Sequence, residues 1–207
     1  KDWVASVDFH PRGTHLATAS GDKTVKVWDF LQSKCVATYK DHAQGVWKAV
    51  FHDTGDFLAS SSLDHTARVW DVNSGRCRST LRGHVDSVNS LAWLPFTNCL
   101  ATCSGDKTVS LWDPRSQYCS HTFYGHENAC NGLAFAPGGE ILVSSDADGK
   151  VCVWDVRQVS CLTSFDCGPH LANGLSVDRS STYCAVASDD GTIKMYNLVD
   201  EREGLKF

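Results

Sequence analysis

Long apolar runs are missing from this sequence, which narrows the classes of protein it can encode. No stretch of about 18 consecutive apolar residues occurs, so no segment is expected to cross a membrane as a helix. No segment has the pattern of a secretory signal peptide. Positive charge is scarce, since 19 lysines and arginines face 24 aspartates and glutamates for a formal net charge of −5. A nucleic-acid-binding surface is basic, so no nucleic-acid partner is expected.

Sequence patterns of metal and phosphate sites are also missing. The ten cysteines include no C-x-x-C pair, and no glycine-rich loop ending in Gly-Lys-Ser/Thr occurs, so neither a zinc site nor a nucleotide cofactor is predicted. Four cysteines recur seven residues after a tryptophan position, where we expect a small apolar residue to pack at the start of an outer strand: Cys35, Cys77, Cys119 and Cys161. Unpaired, buried thiols favour a reducing compartment such as the cytosol.

Repetition is what the sequence has in abundance. A Trp-Asp pair returns every 42 residues and weakens to Tyr-Asn at the end: Trp28-Asp29, Trp70-Asp71, Trp112-Asp113, Trp154-Asp155 and Tyr196-Asn197. An aspartate six residues earlier keeps the same period: Asp22, Asp64, Asp106, Asp148 and Asp190. A histidine keeps it three times, at His42, His84 and His126. Three columns in one register indicate a structural repeat.

This period, with Gly-His early and Trp-Asp late, resembles the WD40 repeat, in which one unit forms one four-stranded blade of a β-propeller. The resemblance implies an all-β fold with five visible blades, at about 1–41, 42–83, 84–125, 126–167 and 168–207. WD40 propellers usually close with about seven blades. We therefore expect two further blades in a longer chain, and an open sector in this one.

Within the first unit, four short strands are predicted at 3–9, 16–20, 24–29 and 35–40. Apolar residues alternate along the first strand of every unit in two columns: Val7, Ala49, Leu91, Leu133 and Leu175, then Phe9, Phe51, Trp93, Phe135 and Val177. A period of two is the pattern of a packed strand.

In blades of this family, a histidine, a hydroxyl, an aspartate and the tryptophan form one buried hydrogen-bond relay, and the resemblance implies three such sets here. They are His42, Ser60, Asp64 and Trp70; His84, Thr102, Asp106 and Trp112; and His126, Ser144, Asp148 and Trp154. The hydroxyls of Ser20, Ser62 and Ser104 form an alternative column, and the sequence leaves that choice open.

The fifth unit departs from the pattern, because Tyr196, Asn197 and Val186 occupy positions that carry tryptophan, aspartate and a hydroxyl elsewhere. We expect Asp190 to have lost its partners and this blade to be the loosest. The repeated Ser, His and Asp residues also suggest a hydrolase triad, but a triad needs a nucleophile exposed beside its base. These sets are tied to the packed tryptophans, so no enzyme is predicted.

Candidate protein-binding residues lie at the start of the first strand of each unit. One column contains Ala5, Trp47, Asn89, Asn131 and Asn173, and its neighbour contains Trp3, Gly45, Ser87, Ala129 and Leu171. Tryptophan is a favoured interface anchor, so we select Trp3, Trp47, Asn89, Asn131 and Asn173 as a binding site. The alternative is that Trp47 packs between blades and the asparagines cap the loop.

Two W-D-x-R motifs are a second candidate. Trp112-Asp113-Pro114-Arg115 and Trp154-Asp155-Val156-Arg157 look like paired motifs of WD40 substrate receptors for cullin-type ubiquitin ligases. This resemblance would make Arg115 and Arg157 contacts to a ligase adaptor, on the face opposite the asparagines. The alternative is that both arginines are solvated.

Segments outside the general WD40 pattern resemble the WD40 domain of the sperm-associated antigen family. They include Asp2-Trp3-Val4, Phe9-His10-Pro11, Ser60 to Thr66, Gly83 to Asn89, Leu94-Pro95-Phe96, Tyr124-Gly125-His126 and Asp146-Ala147-Asp148-Gly149. The resemblance implies a non-enzymatic scaffold in the central-pair apparatus of motile cilia and flagella, with microtubule-associated, armadillo-repeat and kinesin-like partners. A generic WD40 adaptor is the other possibility.

Overall fold

The computed structural model describes residues 2–198 and 204–206, and within them the chain folds into twenty β-strands. These strands form five four-stranded antiparallel sheets, each built from strands in chain order. The all-β fold and the five four-stranded blades are thereby confirmed. This part of the chain holds no helix, so no helix in it can span a bilayer. Lys1 and Phe207, the outer limits expected for the first and fifth blades, lie outside the described residues.

The blades are numbered in chain order. Blade 1 contains β1 (Val4–Phe9), β2 (His15–Ser20), β3 (Val25–Asp29) and β4 (Lys34–Tyr39). Blade 2 contains β5 (Val46–Phe51), β6 (Phe57–Ser62), β7 (Thr66–Asp71) and β8 (Cys77–Arg82). Blade 3 contains β9 (Val88–Trp93), β10 (Leu100–Ser104), β11 (Val109–Asp113) and β12 (Tyr118–Phe123). Blade 4 contains β13 (Cys130–Phe135), β14 (Ile141–Asp146), β15 (Lys150–Asp155) and β16 (Ser160–Asp166). Blade 5 contains β17 (Ala172–Val177), β18 (Tyr183–Ser188), β19 (Ile193–Asn197) and β20 (Gly204–Lys206).

Apolar clusters between consecutive blades hold the array together. Between blades 1 and 2, Ala17 and Val27 pack against Ala49 and Trp70, all in one buried cluster. Equivalent clusters join blades 2 and 3, blades 3 and 4, and blades 4 and 5. Because strand residues alternate between faces, each inner blade gives one apolar face to each neighbour. The first strands β1, β5, β9, β13 and β17 contact one another in order, and residues of all five line one cavity, which we call the central channel.

The outward faces of blades 1 and 5 are exposed among the described residues. Val7 and Phe9 are 58% and 60% exposed, whereas the equivalent Ala49 and Phe51 of blade 2 are 1% and 7% exposed. On the other end, Ile193 is 62% exposed. Apolar columns that the inner blades bury are therefore uncovered at both ends. The two further blades expected from the resemblance stay a prediction.

The repeating cysteines lie on the outer strand, beside a β-bulge. In the first four blades the register shifts by one residue where the tryptophan meets this cysteine, as between Val27 and Trp28 opposite Cys35. The expectation of burial is wrong for three of the four, because the outer strand has no covering layer: Cys35, Cys119 and Cys161 are exposed, and Cys77 is partly exposed. All ten thiols are free.

The hydrogen-bond relays of blades 2 and 3 join the loop before the first strand to the second and third strands. In blade 2, His42 Nδ1 lies 2.8 Å from Asp64 Oδ2 and His42 Nε2 lies 2.8 Å from Ser60 Oγ. Trp70 Nε1 donates to the same Ser60 hydroxyl at 2.8 Å. Ser62 serves elsewhere, since its hydroxyl donates to the carbonyl of Gly45 at 2.9 Å. The structure thus selects the hydroxyl column of Ser60.

Blade 3 repeats the geometry. His84 lies 2.8 Å from Asp106 and 2.7 Å from the hydroxyl of Thr102, which also accepts from Trp112 Nε1 at 2.7 Å. Burial lowers the pKa of His84, partly opposed by the hydrogen bond to Asp106. Burial would raise the pKa of Asp106, but the hydrogen bonds from Thr108 and His84 lower it below its ordinary value. The relay therefore holds a neutral histidine against an ionised aspartate.

The relay of blade 4 uses a different aspartate from the one predicted. His126 Nδ1 lies 2.8 Å from Oδ2 of Asp146, and His126 Nε2 lies 2.6 Å from Ser144 Oγ. Asp146 is fully buried and also accepts from the N–H of Lys150 at 2.9 Å. Asp148, the predicted member, instead accepts from Asn128 Nδ2 at 2.9 Å near the surface.

Two substitutions explain the shift. In blade 2 the hydroxyl of Thr66 donates to Asp64 at 2.6 Å, and Ser62 caps the N–H of Asp64. In blade 4 the threonine position holds Lys150 and the serine position holds Asp146. Asp146 lies two residues before Asp148, and its carboxylate reaches His126. Asp148 is therefore not needed in the relay and lies at the surface. Trp154 still donates to Ser144, at 2.7 Å.

Blade 5 replaces the relay with apolar packing. Tyr196 is buried in a cluster with Val186, Cys184 and Ala172, and its ring stacks on Phe165 at a centroid distance of 4.9 Å. As expected, Asp190 has none of the relay partners among the described residues, but it is held locally. Its carboxylate accepts from the hydroxyl of Thr192 at 2.6 Å and lies 3.2 Å from Lys194 Nζ.

Candidate functional site at the mouth of the channel

The five residues predicted to bind protein gather around one cavity. It has a volume of about 430 Å³ and is lined by Trp3, Ala5, Trp47, Asn89, Asn131, Leu171 and Asn173. We call it the mouth cavity. These residues lie at or just before the starts of the five first strands, which the packing of β1, β5, β9, β13 and β17 brings together at one end of the channel. Residues from separate 42-residue units thus form one continuous surface.

A pair of indole rings forms the apolar side of the mouth cavity. The ring centroids of Trp3 and Trp47 are 4.9 Å apart, at an interplanar angle of 33°. Trp3 rests on Gly21, where an added Cβ would lie 2.5 Å from the indole, so the close approach requires glycine. Trp3 is 44% exposed. A large aromatic surface held in place and open to solvent is typical of a protein-binding anchor.

A chain of hydrogen bonds runs from the indole pair around the rim. Trp47 Nε1 donates to Ser87 Oγ at 3.1 Å, and this hydroxyl donates to Asn89 Oδ1 at 2.7 Å. Asn89 Nδ2 then donates to the carbonyl of Cys130 at 2.9 Å and to Asn131 Oδ1 at 3.3 Å. Three of these bonds join neighbouring blades, and the bond between Ser87 and Asn89 orients Asn89 within its own blade. The first part of the rim is therefore rigid.

The structural alternative raised by the sequence applies to two of these residues. Trp47 and Asn89 are half-buried and bond to neighbouring blades, so both help to hold the array together. The Oδ1 atom of Asn131 accepts from Asn89, so the Nδ2 donor of Asn131 points away from Asn89. Asn173 is exposed, and its amide has no hydrogen-bond partner among residues 2–198. Of the five predicted residues, Trp3, Asn131 and Asn173 are therefore the ones open to a ligand.

The mouth cavity is uncharged and rests on a braced layer of the channel wall. Immediately below it, the N–H of Ala49 donates to Ser6 Oγ at 3.0 Å, and Lys48 Nζ lies 3.1 Å from Ser90 Oγ. Burial lowers the pKa of Lys48, although the nearby charge of Asp8 opposes the shift. Apolar rings beside unpaired amide donors suit the carbonyl groups and apolar side chains of a peptide segment.

Two lining residues were not selected from the sequence. Leu171 lines the cavity and Ser87 carries the bond between Trp47 and Asn89. Both belong to the column next to the selected one, beside Trp3. Serine and leucine are ordinary loop and strand residues, so only their shared column could have marked them.

The second pair of predicted site residues lies on the opposite end of the blades. Arg115 and Arg157 follow the ends of β11 and β15, whereas the mouth cavity lies at the starts of the first strands. Arg157 Nη2 lies 2.9 Å from Glu140 Oε1. Arg115 is exposed and has no ion pair with any residue in the described ranges. The two motifs therefore have unequal surroundings.

The three relays of the described residues lack the exposed nucleophile that a hydrolase triad needs. The three relays bury their hydroxyls, with Ser60, Thr102 and Ser144 all at 0% exposure. No cluster of three histidine, cysteine or acidic side chains in residues 2–198 is placed to hold a metal ion. Burial raises the pKa of the Cys103 and Cys152 thiols to about 12, which suppresses the reactive thiolate.

Comparison with known proteins places short parts of the chain beside curated relatives. Nuclear distribution protein PAC1-2 of Uncinocarpus reesii is 49% identical over 41 residues, which cover 19% of this chain and 9% of that protein. Nuclear distribution protein nudF 2 of Aspergillus clavatus is 46% identical over 41 residues, with the same coverage. Human nucleoporin SEH1 is 41% identical over 51 residues, covering 23% of this chain and 14% of that protein. The chain thus covers well under two thirds of these relatives.

A family model matches almost the whole chain. The model described as WD domain, G-beta repeat matches five times, at residues 1–29, 33–71, 75–113, 117–155 and 157–197. From the second match on, each unit begins at the outer strand of one blade and ends with the third strand of the next, so the repeat itself links neighbouring sheets. On these five matches, and on the five four-stranded sheets of the described residues, the chain belongs to the WD40-repeat family.

Proposed function

We propose that this chain is a non-enzymatic protein-interaction scaffold and that the mouth cavity binds its partner. WD40 propellers in general serve as platforms for other proteins. The observation that carries the proposal is the rim of the mouth cavity. An indole pair, with Trp3 exposed and Trp47 half-buried, stands at one side, and a bonded row of polar side chains ends at the open amides of Asn131 and Asn173.

The partner that this geometry fits is an extended peptide segment. Its apolar side chain would pack on Trp3, and its backbone carbonyls would accept from the amides of Asn131 and Asn173. Because Ser87 and Asn89 already fix the rim, little side-chain freedom is lost on binding, which favours affinity.

The finer proposal is that the chain acts in the central apparatus of motile cilia and flagella. It rests on the segments that resemble the sperm-associated antigen family, such as those around Trp3 and Asn89. Microtubule-associated, armadillo-repeat and kinesin-like proteins would then be the partners. The relatives named above are described as nuclear distribution proteins and a nucleoporin, and they match only 9% to 14% of their own length.

The ligase-receptor alternative depends on paired arginines. Since Arg157 is held by Glu140 while Arg115 is not, the two W-D-x-R motifs do not present equivalent surfaces. This inequality favours the scaffold over a ligase receptor.

Localisation with a matched variant tests the proposal. The full-length protein, fluorescently tagged and expressed in motile ciliated cells, should concentrate along the axoneme. The double variant Trp3→Ala, Asn173→Ala should lose most of that signal, and the distant variant Arg157→Ala should keep it. Uniform cytosolic signal for the unaltered protein would reject the ciliary proposal. Axonemal signal that survives the double variant would reject the mouth cavity as the partner site.

A further inference from the structure

A second groove opens between blades 2 and 3, at the end of the blades opposite the mouth cavity. It has a volume of about 470 Å³. We call it the basal groove, and define it by Phe57, Arg78, Ser79, Trp93, Asn98 and Arg115. Phe57 and Trp93 form an apolar wall, and both are partly exposed. The basal groove combines this wall with two arginines in a chain whose net charge is −5.

The two arginines of the basal groove have no acidic partner within ion-pair distance in the described part of the chain. Both side chains are exposed. Two nearby acidic groups, Asp113 and Asp71, are engaged in their own turns. Asp113 accepts from the N–H of Arg115 at 2.9 Å, and the pKa of Asp71 is lowered mainly by the N–H of Ser74, with a smaller effect of the Arg78 charge. Two guanidinium groups thus remain available to a carboxylate from outside.

The equivalent position between blades 3 and 4 gives the arginine an acidic partner at the surface. Arg157 corresponds to Arg115, and Glu140 corresponds to Asn98, each 42 residues apart. There the arginine and glutamate form an ion pair at 2.9 Å. The basal groove has the arginine but a neutral asparagine in place of its partner.

The space next to each arginine is also filled differently: apolar side chains pack there in blade 4 but not in blade 3. Val156 is 9% exposed, and it and Val159 pack against the core cluster of blades 3 and 4. The matching residues of blade 3 are Pro114 and Gln117, which line the basal groove instead of filling it. Both differences leave space and charge unsatisfied between blades 2 and 3.

A buried hydroxyl inside the basal groove has no partner. Ser79 is 5% exposed, and its Oγ makes no hydrogen bond to the described residues. An unpaired buried polar group costs free energy, and such groups are rare in folded proteins. An acceptor atom delivered by a ligand would satisfy this donor.

We propose that the basal groove docks a protein segment that carries a carboxylate next to an apolar side chain. The carboxylate binds Arg78 and Arg115, whose planar guanidinium groups match its two oxygens. A carbonyl of the segment accepts from Ser79, and the apolar side chain packs on Phe57 and Trp93. The site is separate from the mouth cavity, so a scaffold with both could hold two partners at once.

An NMR titration with minimal probes tests the proposal. The full-length 15N-labelled protein is titrated with acetyl-leucyl-glutamate methylamide and with the neutral isostere acetyl-leucyl-glutamine methylamide. We expect the glutamate probe to shift the resonances of Ser79, Arg78 and Arg115 and to bind about tenfold more tightly than the glutamine probe, a difference of about 1.4 kcal/mol.

Matched variants separate charge from shape. Asn98→Glu gives Arg115 the internal partner that Arg157 has, so it should weaken the glutamate probe about tenfold. Asn98→Gln is the neutral control and should leave binding unchanged, as should Arg157→Ala. Equal binding of the two probes, no binding of the glutamate probe at millimolar concentration, or shifts confined to the mouth cavity would each overturn the proposal. So would an Asn98→Glu variant that binds as tightly as Asn98→Gln.

Discussion

Blades 3 and 5 have the same four-strand topology but are held by different side chains. In blade 3, Trp112 is 2% exposed and donates to Thr102, which connects through His84 to Asp106. In blade 5 the equivalent Tyr196 is 6% exposed and stacks on an aromatic ring instead. The apolar frame therefore suffices for the topology. The polar relay adds hydrogen bonds that hold the loop at the mouth of the channel against the second strand.

Removing the central ring of each blade is the strongest test of this difference. We expect Trp112→Ala to lower the free energy of unfolding by about 3–5 kcal/mol, because it leaves a cavity and an unpaired hydroxyl on Thr102. Tyr196→Ala should cost about 1–2 kcal/mol less, since no relay is broken there. Urea unfolding of the full-length protein measures both. Equal losses would mean that the relay contributes nothing beyond packing.

Asp146 and Asp148 of blade 4 allow a carboxylate inside the relay to be compared with one outside it in the same turn. Asp146→Asn should lower the free energy of unfolding by about 1–3 kcal/mol, because it removes the buried charged acceptor of His126. Asp148→Asn is the matched control, and its effect should stay within about 0.5 kcal/mol because the side chain lies near the surface. The same unfolding measurement applies. A larger loss for Asp148→Asn would contradict the shifted relay.

Acidification should weaken the relay and leave the packing of blade 5 unaffected. The pKa of His84 is lowered in the folded state, whereas the pKa of a histidine in the unfolded chain is about 6.5. Below that pH the unfolded state binds more protons, so the free energy of unfolding falls as the pH drops. The lowered pKa values of Asp106 and Asp146 extend the loss below about pH 4.

The measurement is urea unfolding between about pH 7.5 and 5.5, for the unaltered protein and for His84→Gln. The variant should be less stable at the higher pH and should lose less on acidification. Parallel pH profiles for the two proteins would show that His84 does not titrate as described.

The smallest effect is expected at the exposed carboxylate of blade 5. Asp190 pairs with Lys194 and Thr192 but contacts no histidine among the described residues, so its removal breaks no buried relay. Asp190→Asn should leave the unfolding midpoint unchanged, whereas Asp106→Asn, its equivalent in blade 3, should lower it. A midpoint lowered equally by both would remove the distinction between the two blades.

Much of the fold could be predicted because the 42-residue period is visible in the sequence itself. The strands of blade 1 begin or end within one residue of the predicted positions, and each blade follows 42 residues after the last. The column of Ala5, Trp47, Asn89, Asn131 and Asn173 could also be found, since identical positions in successive units share one end of the channel.

The failures have a common cause. Asp148 keeps the period of the aspartate column, yet the relay uses Asp146, because the geometry of the turn and the loss of the threonine hydroxyl decide which carboxylate reaches His126. Cys35 and its equivalents keep a period too, but exposure depends on whether another layer covers the outer strand.

The sequence by itself determined the number of blades described here, their strand order and the columns that face the channel, because a fixed period imposes a fixed register. Only the tertiary structure decided which polar atoms meet and which stay open. The contrast between the free Arg115 and the paired Arg157 depends on Asn98 and Glu140, residues from a different turn of the same blade. Hydrogen bonds and ion pairs require separations of a few ångströms between atoms distant in the chain, and packing alone sets those separations.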